Sequence, residues 1–132
     1  MEEAMRLEGE TGPYILYAKA RASRILEKSD QTPKVTISLM SLLSQESEKK
    51  LVKSISKLDL IVEDSANLLS PKILARHAWA LAVDFNNFYE RCPVIKEKDE
   101  MVKIARLALV SAFKNTITIS LNLLGIESPD RI

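Results

Sequence analysis

The chain has 132 residues, one cysteine and one histidine, with 19 Lys and Arg against 18 Asp and Glu for a net charge of +1. That length predicts one domain with its own hydrophobic core; the lone Cys92 excludes an intramolecular disulfide, and one Cys with one His falls short of the common zinc spacings. Near-neutral charge, balanced along the chain, gives no bulk nucleic-acid signal, so any RNA contact must rest on a local patch.

The start, MEEAMRLEGE, is acidic where a secretory leader is basic and then apolar. No uninterrupted apolar run approaches the ~20 residues that cross a bilayer. A single thiol suits a reducing compartment. The expectation is a cytoplasmic protein with no membrane partner.

Residues 8–21 read EGETGPYILYAKAR, a hinge with two of the three glycines running into a helix. The spacing predicts that helix from about Pro13 to Ser29, with Thr11 as N-cap and Pro13 in the first turn. Ile15, Ala18, Ala22 and Ile25 recur every three or four residues as a buried stripe. Tyr14, Tyr17, Arg21, Arg24 and Lys28 form a second stripe offset by one residue, about 100° around the helix. Such a face either snorkels its basic tips into water or meets phosphates, where Lys and Arg gain by releasing counterions.

SDQTPKVT, residues 29–36, reads as a linker. VTISLMSLL, residues 35–43, fits a short strand or a helical turn equally well. From about Ser47 a helix carries Leu51, Val52, Ile55, Leu58 and Val62, with a bend or break near Asp59. Ser70-Pro71 signals the next start, Ser as cap and Pro at the first helical position. Leu74, Ala78, Leu81, Phe85 and Phe88 line that helix to Cys92, and Pro93 ends it. After VIKEK the last helix runs from about Asp99 to Leu124, with Met101, Ile104, Ala108, Ala112 and Leu124 as expected core. TITIS, residues 116–120, alternates like a strand, but tertiary context is expected to hold it helical. Gly125 suits the helix end. The fold class is all-α, a bundle of four to five helices with antiparallel neighbours.

His77 and Cys92 are the obvious base and nucleophile, yet on one helix they stand about 22 Å apart. Glu63 and Asp64 point about 100° apart and read as solvated charge. There is no Gly-rich phosphate loop, so no catalytic, metal or cofactor site is expected within the chain. In FNNFYERCP, residues 85–93, Phe85 and Phe88 belong to the core stripe. Tyr89, one position round, is either a half-buried tyrosine with a wet hydroxyl or a platform for an unpaired base.

Three segments resemble the C-terminal anticodon-binding domain of arginyl-tRNA synthetases, the all-helical DALR type. EGETGPYILYAKAR is similar to E-G-x-T-G-P-Y-x-x-Y-x-x-x-R at Glu8, Gly9, Thr11, Gly12, Pro13, Tyr14, Tyr17 and Arg21. FNNFYERCPVI is similar to F-N-x-F-Y-x-x-x-P-V, and RLALVSAF with LLGIESPDRI resembles the closing helix and tail from Arg106 to Ile132. The resemblance implies that residues 1–12 are a junction from an upstream catalytic domain and residues 13–132 the anticodon-binding bundle. It implies tRNA(Arg), through its anticodon arm, and that catalytic domain as partners, with no DNA partner. It implies ATP with Mg as the intact enzyme's cofactor for joining arginine to tRNA, and none in this piece.

Carried over by position, the resemblance implies tRNA-binding roles for Tyr17 and Arg21 on the opening helix, for Tyr89 against an anticodon base, and for Ile132 where the family commonly ends in methionine; Arg24 joins them from the basic stripe. His77 replaces a usual tyrosine and receives no role, and residues 31–47 match no family motif. Met1, seven residues before Glu8, motivates the second reading: a free-standing DALR-like module that binds RNA or a protein without catalysis.

Overall fold

A computed structural model describes residues 11–29, 33 and 36–126. In chain order its helices are α1 (Thr11–Ser29), α2 (Ile37–Met40), α3 (Glu46–Ser56), α4 (Leu58–Asn67), α5 (Pro71–Arg91) and α6 (Glu100–Leu123), and the described residues contain no strand. α2 is a single turn of 4 residues. The other five make the all-α bundle that the sequence periodicity predicts.

The caps follow the local sequence. Asp99 accepts the backbone N–H groups of Met101 and Val102 at 3.0 and 3.3 Å and opens α6. Gly125, at φ 76°, closes it: its N–H reaches the Asn122 carbonyl at 3.0 Å, and the Ile126 N–H reaches the Leu121 carbonyl at 2.9 Å. That paired pattern needs a left-handed residue, which glycine adopts without strain. Within TITIS the hydroxyls of Thr116, Thr118 and Ser120 donate to carbonyls four residues back at 2.8, 2.7 and 2.9 Å. The hydroxyls are thereby satisfied inside the helix, while burial of Ile117 and Leu121 against the core keeps this β-prone run helical.

Several expectations shift. α1 starts at Thr11, two residues before the expected Pro13, so Thr11 is its first residue and not its N-cap. VTISLMSLL supplies one helical turn, α2, capped by Thr36. The break between α3 and α4 falls at Lys57, just before Asp59. Ser70 stands at the start of α5 without a side-chain cap; Ser65 Oγ instead donates to its carbonyl at 2.6 Å. Met101 is 54% exposed and not core. The core face of α6 is Ala105, Leu107, Ala108, Leu109, Val110, Phe113, Ile117 and Leu121. The reason is position: α6 packs against α1, α2, α3 and α5, so it is buried around most of its circumference in mid-length rather than along one stripe. It is also the one helix among the described residues long and apolar enough to span a membrane, and 61% of its most apolar stretch is buried inside the bundle. A count of uninterrupted apolar runs misses this averaged hydropathy.

Helices α1 and α5 run in the same direction, contrary to a simple antiparallel scheme. Tyr14 meets Trp79 and Arg21 meets Asn86, so the contacts advance together along both helices. α3 runs antiparallel to α5, with Ser47 near Cys92 and Ser54 bonded to Asp84.

One buried ion pair ties these layers. Arg106 Nε on α6 donates to Glu48 Oε2 on α3 at 2.8 Å, with both side chains almost wholly out of solvent. Glu48 Oε1 accepts the Gln45 N–H at 2.9 Å, which starts α3. Arg106 Nη1 donates to the Pro93 carbonyl at 2.8 Å and lies 3.5 Å from Glu97. Removing one member strands the other's charge. Arg106→Met is therefore expected to cost roughly 3–5 kcal/mol, read as an earlier midpoint in urea unfolding. Adding Glu48→Leu should recover part of that loss; an unchanged midpoint in the single variant would show that the pair does not hold the bundle.

Candidate nucleic-acid interface

The basic stripe of α1 and the C-terminal turn of α5 meet at a cleft of about 240 Å³. Arg21, Arg24 and Lys28 line it from α1, Tyr89 from α5 and Lys96 from the following loop, over an apolar floor of Ile25, Cys92 and Val94. Cys92 takes extended geometry at the end of α5 while its N–H bonds the Phe88 carbonyl at 2.8 Å, and Pro93 then turns the chain across the cleft.

Arg21 is held at two points. Its Nη1 donates to Asn86 Oδ1 at 2.8 Å, and its guanidinium carbon lies 4.6 Å from the centroid of the Tyr89 ring. A free arginine side chain would carry about 2 kcal/mol of rotamer entropy, so the two tethers pre-order it. Tyr89 is 41% exposed. Its ring leans on Phe85, centroids 6.4 Å apart, and Phe85 stacks on Phe113 of α6 at 4.1 Å. The platform is thus composite: a guanidinium over a tyrosine ring, backed by fully buried phenylalanines. Both guanidinium planes and aromatic rings stack splayed bases.

Tyr17 is 57% exposed and lies one turn before Arg21 on the same face of α1. Tyr14 does not share its freedom; it packs on Trp79 of α5, centroids 4.5 Å apart. The structure therefore gathers Arg21, Arg24 and Tyr89 around one cleft and sets Tyr17 beside it. Ile132 lies outside the described residues. Sequence reasoning missed Asn86 as the partner of Arg21. The available signal was its place in the F-N-x-F-Y pattern, four residues before the turn that carries Glu90 and Arg91.

His77 and Cys92 are separate, as their spacing requires. His77 Nε2 donates to the Ser54 carbonyl at 2.7 Å, and Cys92 Sγ lies 3.3 Å from Ser47 Oγ. Ser54, His77 and Asp84 do come together, but the Ser54 hydroxyl donates to the Asp84 carboxylate, not to the imidazole. No cluster of metal-ligating side chains occurs among the described residues.

Residues 15–132 match the DALR anticodon binding domain family. The chain is 42% identical over 131 residues to the arginine–tRNA ligase of Methanococcus maripaludis strain C6, covering 99% of this chain and 23% of the relative. It is 35% identical to the arginine–tRNA ligase of Alkaliphilus metalliredigens, with the same coverage. A solved structure of Thermus thermophilus arginyl-tRNA synthetase superposes with a TM-score of 0.82 at 30% identity, over 99% of this chain and 23% of that one. The chain thus spans about a quarter of the length of these relatives.

Arg21 and Tyr89 should be energetically coupled. In a double-mutant cycle of Arg21→Ala and Tyr89→Ala, followed by urea unfolding, a coupling energy of about 0.5–1 kcal/mol is expected. Strict additivity would show that the stacked pair contributes nothing beyond its separate contacts.

Proposed function

The chain belongs to the DALR anticodon-binding domain family, and from that premise we propose that it recognises the anticodon arm of tRNA(Arg) for an arginine–tRNA ligase. The observation that carries this reading is the Arg21–Tyr89 platform at the mouth of a basic cleft, with Tyr17 exposed beside it. Single-stranded loops are read by stacking and by hydrogen bonds to base edges. A stacked ring and guanidinium supply the first, and Arg24, Lys28 and Lys96 supply charge for the neighbouring phosphates.

A chain of net charge +1 can do this because one local face carries the cations. In a longer enzyme the catalytic domain would share the tRNA, making the second contact intramolecular. That enzyme would attach arginine using ATP, with Mg as the metal partner of the nucleotide. The bundle itself would bind and orient RNA, and its residues carry no bond-making step.

Charging kinetics test the assignment. In the ligase that contains this domain, Tyr89→Ala is expected to lower kcat/KM for tRNA(Arg) by roughly 5- to 150-fold, the range of one lost base stack. Arg21→Lys, which keeps charge and loses the planar stack, should lose a similar factor. The rate of arginine activation without tRNA should stay unchanged in both. Wild-type tRNA kinetics in both variants would remove these residues from the recognition site.

A further inference from the structure

A second basic surface lies on the other flank of α5. The groove between α3 and α5 encloses about 890 Å³ and is lined by Lys49, Lys50, Lys53 and Lys57 on one wall, with Trp79 on the other. Two carboxylates, Glu46 and Asp84, also line it. Asp84 is already engaged, accepting the Ser54 hydroxyl and lying 3.8 Å from Lys50 Nζ. Among the described residues Lys49, Lys53 and Lys57 form no ion pair.

We propose that this groove tracks the phosphodiester backbone of the same RNA whose loop meets Arg21 and Tyr89, an inference that rests on the RNA-binding reading above. Lys49, Lys53 and Lys57 follow at four-residue intervals, so their ammonium groups share one face over about 12 Å of rise. That reach covers roughly three phosphates along one strand. Like charges four apart weaken a helix, and the fold draws no internal salt bridge from these three in return. An external polyanion supplies the missing partner.

Two features favour a nucleic acid over an acidic peptide. Trp79, the sole tryptophan, is 40% exposed and lines the groove. Bases have π faces to meet it; aspartate and glutamate side chains do not. The groove and the first cleft share no lining residue, but side chains of α5 that line the groove neighbour those that hold the cleft. Trp79 lines the groove and packs at a tilt on Tyr14, one turn before Tyr17. Val83 lines it too, one turn before Asn86, which holds Arg21. Ala80 and Val83 complete the α5 side of the groove beside Trp79.

The test compares the 132-residue chain with its Lys49→Gln/Lys53→Gln/Lys57→Gln variant. The probes are an RNA hairpin carrying an arginine anticodon loop and the same stem closed without that loop. Binding is followed by fluorescence anisotropy across a KCl series. The triple variant should bind both RNAs roughly tenfold more weakly, and its slope of log Kd against log salt should be shallower by about 2. Circular dichroism should be unchanged, and the matching triple arginine variant should keep the parental slope.

Tyr89→Ala should weaken only the loop-bearing RNA. If it weakens neither while the glutamine variant still flattens the slope, the groove stands and the loop-reading assignment fails. Parental affinity and slope in the glutamine variant overturn the groove, whatever Tyr89→Ala does. So does a poly-glutamate peptide that binds the parental chain as tightly as the RNA.

Discussion

The arrangement of this bundle depends on one buried carboxylate–guanidinium contact, Glu48 to Arg106. Few groups are as costly to bury as a charge without a partner, and few contacts are as directional as an arginine on a carboxylate. Every hydrogen-bonding edge used by the pair leads to a different part of the fold. Glu48 begins α3, and Arg106 fixes α6 and grips the Pro93 carbonyl. Pro93 is where the chain leaves α5, immediately after the turn that carries Tyr89. The position of the Arg21–Tyr89 pair and the set of α3 against α5 are therefore coupled through the core.

The platform shows how a small module presents a stacking surface without losing its side chains to solvent motion. Tyr89 stands on Phe85 and Phe113, whose burial anchors it from below. Arg21 is pinned by Asn86 and by the ring itself. Such preorganisation moves an entropy cost from the binding step to the folding step. It also explains how a chain with nearly balanced charge can face a polyanion. Carboxylates such as Glu48 and Asp84 are turned to internal contacts, and cations collect on the two flanks of α5.

Much of this was legible in the residues. The apolar spacing of α1 and α5, the Asp99 and Gly125 ends of α6, and the break after Cys92 are local signals, and α1, α5 and α6 sit within a few residues of their expected bounds. Tyr17, Arg21 and Arg24 followed from an offset stripe on α1, and Tyr89 from its place beside the core positions of α5. Ile132 rested on the family likeness and lies outside the described residues. What escaped were features made by neighbours. Met101 satisfied a helical period yet faces water, because only the middle of α6 is enclosed. Asn86 and Trp79 find their partners, Arg21 and Tyr14, only when α1 is laid against α5.

By itself the sequence determined an all-α chain, the bounds of its longer helices, and an aromatic-basic stripe beginning at Tyr14. These are properties of spacing, capping chemistry and composition, which act within a few turns of chain. Only the tertiary structure decided that α1 and α5 run parallel, that Arg21 lies on Tyr89, and that the lysines of α3 share a groove with Trp79. Those pairings join residues far apart in the chain, and they are chosen by how α6 and the buried Glu48–Arg106 contact let the helices pack.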